Sequence, residues 1–152
     1  VAGKPAAPLL RQAIERVGAR RPLVVGDRLD TDIAGGHAVD ADTLLVLTGV
    51  STAADVLAAA PEHRPTFVGP DLRVLGDGLE ATHVLDGDPG GWHVRREDGS
   101  LVLAADDDAA EDGATALRAL CRVAWEHDDA PEVRAADDRA EKMISTLGLG
   151  AG

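Results

Sequence analysis

The sequence predicts an α/β fold in its first half and a smaller α+β unit in its second. From residue 6 to about residue 75, helix-like and strand-like segments alternate, which is typical of βαβ units and a parallel sheet. Residues 23–25 and 44–47 are nearly continuous apolar runs, as expected for strands that helices cover on both faces. We therefore predict part of a doubly covered parallel sheet in residues 1–76. Residues 77–149 are predicted to form an α+β appendage with a hairpin and helices.

Two helices of the first half follow from apolar spacing and from glycine. Residues 6–18 carry apolar side chains at helical spacing and end at Gly18, a common helix stop. Residues 32–39 are predicted as the next helix, although Gly35 and Gly36 lower its helix propensity. Those glycines either let the backbone approach a neighbour closely or are simply tolerated.

The rest of the first half continues the alternation. Thr52 and Asp55 form a capping-box pattern that opens a helix over residues 53–60. A third strand is predicted over residues 66–68, and a short helix over residues 70–75.

The second half begins with a hairpin. Asp98-Gly99 is a strong turn signal between strands predicted over residues 92–96 and 101–103. A long helix is predicted over residues 109–127, with apolar residues on one side. The remaining predictions are a loop over residues 128–140 and a short final helix over residues 138–147.

Composition excludes several function classes. The 152 residues carry 15 basic and 27 acidic side chains, a formal net charge of −12. Nucleic acid and anionic membranes are therefore not expected as main partners, because both need a basic surface. Cys121 is the sole cysteine, so neither an internal disulfide nor a cysteine metal cluster is expected, and a reducing cytoplasm is the predicted location. No transmembrane or secretory segment is expected.

Three short segments are predicted to meet at one rim. They are residues 3–5, the strand at residues 23–25, and residues 26–32 directly after it. The first helix runs about 20 Å in one direction, and the strand returns about 17 Å. Lys4 and Asp27 should therefore lie on the same face, outside the carboxyl ends of the strands, where open α/β sheets bind ligands.

A lysine among carboxylates at this rim suits a phosphate group and Mg²⁺. Mg²⁺ prefers oxygen ligands and keeps several waters, so one or two carboxylates are enough. Asp27 is the predicted direct ligand, while Asp32 is predicted to begin the next helix as its cap and to hold a metal-bound water. Lys4 would offset phosphate charge. The alternatives are a turn acid at position 27, a simple helix cap at position 32 and a solvated lysine at position 4.

The same segments carry a family resemblance. Residues 3–5 (Gly-Lys-Pro) and 24–33 (Val-Val-Gly-Asp-Arg-Leu-Asp-Thr-Asp-Ile) closely resemble the third and fourth motifs of haloacid dehalogenase (HAD) superfamily phosphatases. Residues 48–50 (Thr-Gly-Val) and 64–65 (Arg-Pro) are similar to the branch with phosphoglycolate, glycerol-3-phosphate and 4-nitrophenyl-phosphate phosphatases. The resemblance covers residues 1 to about 76 and implies a Rossmann-like parallel sheet.

The resemblance also implies roles for three residues. Lys4 would be the lysine that holds the phosphoryl group and the aspartate nucleophile, and Asp27 the Mg²⁺ ligand. Asp32 would be the second acid of the fourth motif. In that family the nucleophile, a Ser/Thr motif and the substrate-selecting cap precede the lysine, and none of them is present here. The implied function is therefore the carboxy-terminal part of a Mg²⁺-dependent phosphomonoester hydrolase with an aspartyl-phosphate intermediate.

Two kinds of partner follow from that reading. The substrate would be a small phosphorylated metabolite such as glycerol 3-phosphate or phosphoglycolate. In the family the nucleophile strand lies beside the strand that ends at Asp27, so its absence should leave an apolar edge. We expect this edge to pair with the missing amino-terminal half or with another copy of the chain.

The appendage resembles a carboxy-terminal extension of actinobacterial-type members, which has been likened to part of an acetyltransferase fold. Acetyl transfer is not inferred, because Gly87 to Gly91 lead into a strand rather than into the helix N-terminus that cofactor phosphates need. The competing hypothesis for the whole chain is a non-catalytic regulatory or interaction module that keeps the phosphate and metal clamp. A receiver-type signalling domain is a weaker variant. Such a domain would carry its phosphoacceptor aspartate at a strand end before its lysine, and only three residues precede Lys4.

Several other residues are interpreted as structural. Arg28 could reach a bound phosphate or pair with Asp30, and the surface pair is favoured. Asp30 lies within the turn and is a poor substitute nucleophile. Trp92 is expected to anchor a core, and Cys121 to be a packed, inert thiol. The five histidines share no ligand spacing, which argues against zinc.

Overall fold

The computed structural model describes residues 7–48, 50–76, 78–127, 129 and 131–150. The first sheet has three parallel strands in the order β1 (Leu23–Gly26), β2 (Asp42–Val46) and β3 (Phe67–Gly69). Its register places Val25 beside Leu44 and Leu45 beside Val68. The α/β class and the parallel sheet predicted from the apolar runs are confirmed.

The α-helices of the first half are α1 (Ala7–Val17), α2 (Ala34–His37) and α3 (Ala53–Leu57). α3 ends three residues before the predicted end at residue 60, and the short helix predicted over residues 70–75 is a 3-10 helix over Leu72–Leu75. The segment predicted to begin at Asp32 begins instead at Leu29, as a π-helical turn over Leu29–Ile33 that continues directly into α2. The capping box of α3 is present, since Thr52 accepts from the Asp55 N–H at 3.2 Å and Asp55 accepts from the Thr52 N–H at 2.8 Å.

The predicted close approach at the glycine pair is confirmed for Gly36. A Cβ atom at this position would overlap the side chain of Thr43 in β2 and would lie 3.3 Å from the Cβ atom of Val24 in β1. Helix α2 therefore lies directly on the sheet. This packing keeps the preceding segment, Leu29–Ile33, close to the ends of β1 and β2.

The second sheet contains β4 (Trp92–Glu97), β5 (Ser100–Ala105) and β6 (Val133–Ala135) in that order. β4 and β5 form the predicted hairpin, with positive φ angles of 48° at Asp98 and 81° at Gly99, as a two-residue type I′ turn requires. β6 pairs in parallel with β5. The loop predicted over residues 128–140 is therefore wrong where β6 forms.

Two further helices complete the fold, α4 (Gly113–Ala124) and α5 (Asp138–Thr146). α4 begins four residues later than predicted, where Asp112 caps it, and α5 begins at residue 138 as predicted, with Asp137 as its cap. The Asp112 carboxylate accepts from the Thr115 N–H at 2.9 Å, and the Asp137 carboxylate accepts from the Ala140 N–H at 2.8 Å. None of the described helices is long and apolar enough to cross a membrane.

One hydrophobic core joins the two sheets through α4. It contains residues of β2 and α3 such as Leu45 and Val56, together with Leu103 of β5 and Leu117 and Leu120 of α4. All five are fully buried, with no exposed side-chain surface. The division into domains at residues 1–76 and 77–149 remains a prediction, and the packing shows that the two parts share this core.

The opposite side of the first sheet is covered less completely. β1 is an edge strand, and each of its four residues is only partly buried. Helix α1 has no buried residue at all, and two of its apolar side chains, Leu9 and Val17, are 66% and 75% exposed. Among the described residues, β1 therefore has a neighbour on one side only, and α1 exposes apolar side chains.

Candidate functional site

Asp27 lies at the carboxyl end of β1. The residue is partly buried, and within the described part of the chain its carboxylate has no hydrogen-bond or salt-bridge partner. Its backbone is fixed, because its carbonyl accepts from the Ser51 N–H at 3.0 Å and its N–H donates to Asp32 at 3.1 Å. The structure thus holds the main chain at this position and leaves the carboxylate oxygens available.

Asp32 folds back onto the same loop. Its Oδ2 atom accepts from the Asp27 and Arg28 N–H groups, each at 3.1 Å. A Cβ atom at Gly26 would overlap this carboxylate. The Asp32 carboxylate can occupy this position because Gly26 has no side chain. The structure therefore brings Asp27 and Asp32 together at one rim, as the motif spacing predicted.

The predicted capping role of Asp32 needs a correction. The helical segment begins at Leu29 with Arg28 as its N-terminal flanking residue, and Asp32 is the fourth residue of that segment. Its carboxylate reaches back to the strand-to-helix connection instead of capping the helix that follows, because an early π-helical turn moves the helix start upstream of it. Only Oδ2 makes these bonds, and Oδ1 has no hydrogen-bond partner among the described residues.

The third predicted site residue, Lys4, lies outside the described residues, as do its neighbours in the Gly-Lys-Pro motif. Helix α1, which follows them, contacts the first sheet's connections through a hydrogen bond from Arg11 Nη2 to the Ala38 carbonyl at 2.8 Å. The role of Lys4 toward phosphate therefore stays a prediction.

Arg28 and Asp30 form the predicted surface pair. Arg28 donates through Nε and Nη2 to the two carboxylate oxygens of Asp30 at 3.0 and 2.8 Å. These bonds lower the pKa of Asp30 and raise the pKa of Arg28. Because its carboxylate is engaged by Arg28, Asp30 is poorly placed to act as a nucleophile.

Ser51 is a residue of the site that the sequence analysis missed. It follows β2 and reaches the loop after β1, where its Oγ accepts from the Leu29 N–H at 3.1 Å. A cleft of about 320 Å³ beside this contact is lined by residues that include Arg28, Ser51 and His63. The available sequence signal was a small hydroxyl residue just after a buried strand, but it does not specify a partner 22 residues away.

Elsewhere the predicted structural residues are confirmed. Trp92 is 2% exposed and donates from Nε1 to the Ala110 carbonyl at 2.9 Å. Cys121 is fully buried, and burial raises the pKa of its thiol. Among the described residues, no group of three or more His, Cys, Asp or Glu side chains is placed to hold a metal ion. A metal at the rim would therefore rest on a pair of acids, which is enough for Mg²⁺ with its waters and a substrate phosphate.

The family comparison decides the identity of the first half. Residues 1–75 match the family model of HAD-hydrolase-like proteins. This part of the chain belongs to the haloacid dehalogenase superfamily. In this HAD-type chain, residues 89–149 match a second model, that of the GCN5-related N-acetyltransferase-like domain, in agreement with the resemblance of the appendage.

Relatives resemble the HAD-type chain over most or part of its length. A D-glycerol 3-phosphate phosphatase of Mycobacterium tuberculosis is 37% identical over 98% of this chain and 45% of its own length. Chronophin of Bos taurus is 40% identical over 53% of this chain and 29% of its own length. The HAD-type chain thus spans less than half the length of these relatives.

Solved structures resemble the fold as well. A glycerol phosphate phosphatase of M. tuberculosis in complex with magnesium has a TM-score of 0.85 and 39% identity, covering 99% of this chain and 44% of its own. A complex of the same enzyme with calcium has a TM-score of 0.86 and 37% identity, covering 100% and 46%. The motifs and this coverage fit the carboxy-terminal portion of a HAD phosphatase.

The close packing at Gly26 makes a testable prediction. Gly26→Ala should displace the Asp32 carboxylate, since the new methyl group would occupy its position, and the Asp27 and Arg28 N–H groups would lose their acceptor. We expect Mn²⁺, used as a paramagnetic probe, to bind the rim about tenfold more weakly, the scale at which supporting contacts tune metal sites. The measurement is the broadening of the Asp27 amide signal in NMR spectra.

Gly76→Ala is the matched control for this substitution. A Cβ atom there would lie 3.5 Å from the Arg73 carbonyl, an ordinary contact, and Gly76 has a negative φ of −77°. Mn²⁺ binding should be unchanged in this variant. Equal Mn²⁺ affinities in Gly26→Ala and the unmodified chain would show that the position of Asp32 does not matter for the metal.

Proposed function

We propose that this chain is the carboxy-terminal part of a Mg²⁺-dependent phosphomonoester hydrolase. Its substrate would be a small phosphorylated metabolite such as glycerol 3-phosphate or phosphoglycolate. The observation that carries the proposal is the pairing of Asp27 and Asp32 on one loop at the carboxyl edge of the sheet, with the Asp27 carboxylate unengaged by described residues. The names of the mycobacterial relatives support this substrate class.

The donor set at the rim fits magnesium. Asp27 offers a carboxylate whose backbone is already held, and Asp32 keeps Oδ1 available for a metal-bound water. Both are hard oxygen ligands, the type that Mg²⁺ requires. When bound, the ion would stabilise negative charge on the transferring phosphoryl group.

The chain's own residues would divide the remaining work. Asp27 would ligate the metal, Asp32 would shape the loop that presents Asp27, and Lys4 would offset charge on the phosphate as a compact ammonium. The aspartate nucleophile of the family mechanism would come from the amino-terminal half. Arg28 and Asp30 neutralise each other at the surface and would take no part in the chemistry.

The uncovered edge supports a partner. Among the described residues, β1 pairs on one side only, and α1 exposes Leu9 and Val17. An apolar strand edge of this kind favours pairing with another strand. We propose that the amino-terminal half of the phosphatase pairs here, with a second copy of the chain as the alternative occupant. A cytoplasmic location, consistent with the lone cysteine, and the two-domain division are part of the same proposal.

Reconstitution tests the proposed function. The chain is mixed with a separately produced amino-terminal half, and phosphate release from glycerol 3-phosphate and from phosphoglycolate is measured with Mg²⁺ and with EDTA. We expect release in the mixture with Mg²⁺, and none from either half alone or with EDTA.

The negative outcomes of this experiment separate the hypotheses. A stable complex of the two halves that binds Mg²⁺ but releases no phosphate from either ester would support the non-catalytic module. Phosphate release by the chain alone would contradict the assignment of the nucleophile to the other half. Size-exclusion chromatography of the mixture shows whether the two halves associate, and a compact monomer with no pairing at β1 would count against the proposed partner.

A further inference from the structure

We infer that Ser51 positions Asp27 for metal binding by fastening the loop after β1 to the loop after β2. The inference rests on the proposed function, because it assigns a role within the same metal site. Ser51 acts on Asp27 through the main chain and is therefore a positioning residue rather than a catalytic one.

Two hydrogen bonds carry this inference. The Ser51 N–H donates to the Asp27 carbonyl at 3.0 Å, and Ser51 Oγ accepts from the Leu29 N–H at 3.1 Å. The bonds lie on both sides of Arg28, so one residue holds two points of the short loop. Because β2 is the direct parallel neighbour of β1, Ser51 ties this loop to the frame of the sheet.

Asp32 completes the set of contacts but cannot replace Ser51. It accepts from the N–H groups of Asp27 and Arg28, so consecutive main-chain groups from Asp27 N–H to Leu29 N–H all have partners. However, Asp32 belongs to the segment that continues from this loop, so its bonds set the loop's shape. The bonds of Ser51 come from 22 residues away and set the loop's place relative to the neighbouring strand.

Burial makes the Ser51 hydroxyl necessary. Leu29 is 8% exposed, so removing the hydroxyl would take the acceptor from a donor in a largely buried residue, and a buried donor without a partner is costly. The loop would then shift to find another acceptor. Asp27, two residues upstream, would move with it, and a preorganised metal ligand would become a mobile one.

The two bonds of Ser51 can be separated by mutation. Ser51→Ala removes the Oγ acceptor and keeps the N–H that donates to Asp27. Ser51→Thr keeps both groups. A role that depends on the hydroxyl therefore predicts that threonine restores what alanine loses, whereas a role in packing alone does not.

The experiment follows ¹⁵N-labelled chain by NMR, with Mn²⁺ as the probe. We expect Ser51→Ala to raise the Mn²⁺ dissociation constant, measured by broadening of the Asp27 amide signal, by about tenfold. The Leu29 amide should exchange with solvent faster in the same variant. Ser51→Thr should restore both the dissociation constant and the slow exchange.

Thr52→Ala is the matched control. It removes a neighbouring hydroxyl that accepts from the Asp55 N–H at the start of α3 and whose hydrogen bonds are all with Asp55 rather than with the loop after β1. We expect Mn²⁺ binding and Leu29 exchange to stay as in the unmodified chain, even though α3 loses its cap.

The outcomes distinguish this inference from the proposed function. If Mn²⁺ does not broaden the Asp27 signal in the unmodified chain, the inference is overturned at its metal site, while the proposed function is decided separately by phosphate release from the reconstituted halves. If Mn²⁺ binds the unmodified chain and Ser51→Ala equally well, only the role of Ser51 is overturned. Failure of Ser51→Thr to restore binding would also overturn it, because the hydroxyl would then not be the essential group.

Discussion

Replacing Asp27 by Asn should reduce Mg²⁺-dependent phosphate release by the reconstituted protein about a thousandfold. A bound cation stabilises the transferring phosphoryl group by several kcal/mol, and each factor of ten in rate corresponds to about 1.4 kcal/mol. Asn has the same shape but no charge, and the hydrogen bonds at this position are made by the Asp27 main chain. The fold should therefore be retained while metal affinity is lost. The measurement is the initial rate at a Mg²⁺ concentration that saturates the unmodified protein.

Asp30→Asn is the control for this substitution. Asp30 lies in the same turn and carries the same charge, but its carboxylate is engaged by Arg28 at the surface. We expect less than a threefold change in rate, because exposed ion pairs contribute little. Equal losses in both variants would indicate that the total negative charge of the turn matters, and would contradict a specific ligand role for Asp27.

The Asp27–Asp32 pair could be predicted from sequence because local rules govern it. A short apolar run predicts a buried parallel strand, and such a strand delivers the residue after it to the carboxyl edge of the sheet. Asp32 follows five positions later, close enough to return to the same loop. The direction of its hydrogen bonds was not predictable, because the sequence pattern does not show whether the helix begins at Leu29 or at Asp32.

Ser51 and β6 show what sequence patterns leave out. The contact between Ser51 and Leu29 depends on how two loops meet at the edge of the sheet, and no periodicity encodes it. β6 has only three residues, of which Val133 alone is buried, so its sequence shows no alternation. It forms because β5 offers an edge for pairing, which is a tertiary rather than a local cause.

The sequence pattern also did not predict how completely α4 is buried. Apolar spacing predicted one buried side, but nine of the twelve residues of α4 are buried. Even Arg118 is 4% exposed, and its guanidinium donates to the Val68 carbonyl of β3 at 2.9 Å. Desolvation lowers the pKa of Arg118. α4 is covered on several sides because it packs on both halves of the chain. A substitution in α4 should therefore change the stability of both halves.

Leu117→Ala should lower the free energy of unfolding by about 2–5 kcal/mol, the usual cost of truncating a fully buried leucine. Leu117 has no exposed surface and lies in the core that joins β2 and α3 to β5. Because the cavity would lie within that shared core, we expect the two halves to be destabilised together. Hydrogen exchange at the amides of β2 and β5 measures this, and protection should fall by a similar factor in both strands.

Leu85→Ala provides the matched control, since Leu85 is 54% exposed and surface substitutions usually change stability by less than about 0.5 kcal/mol. If Leu117→Ala lowered protection in β5 but left β2 unchanged, the halves would unfold as separate units despite their contact. Loss of protection in both strands would mean that the appendage and the HAD-type half are two structural regions with one cooperative core. The geometry of the rim at Asp27 would then depend on α4, because β2 positions Ser51 and is itself part of that core.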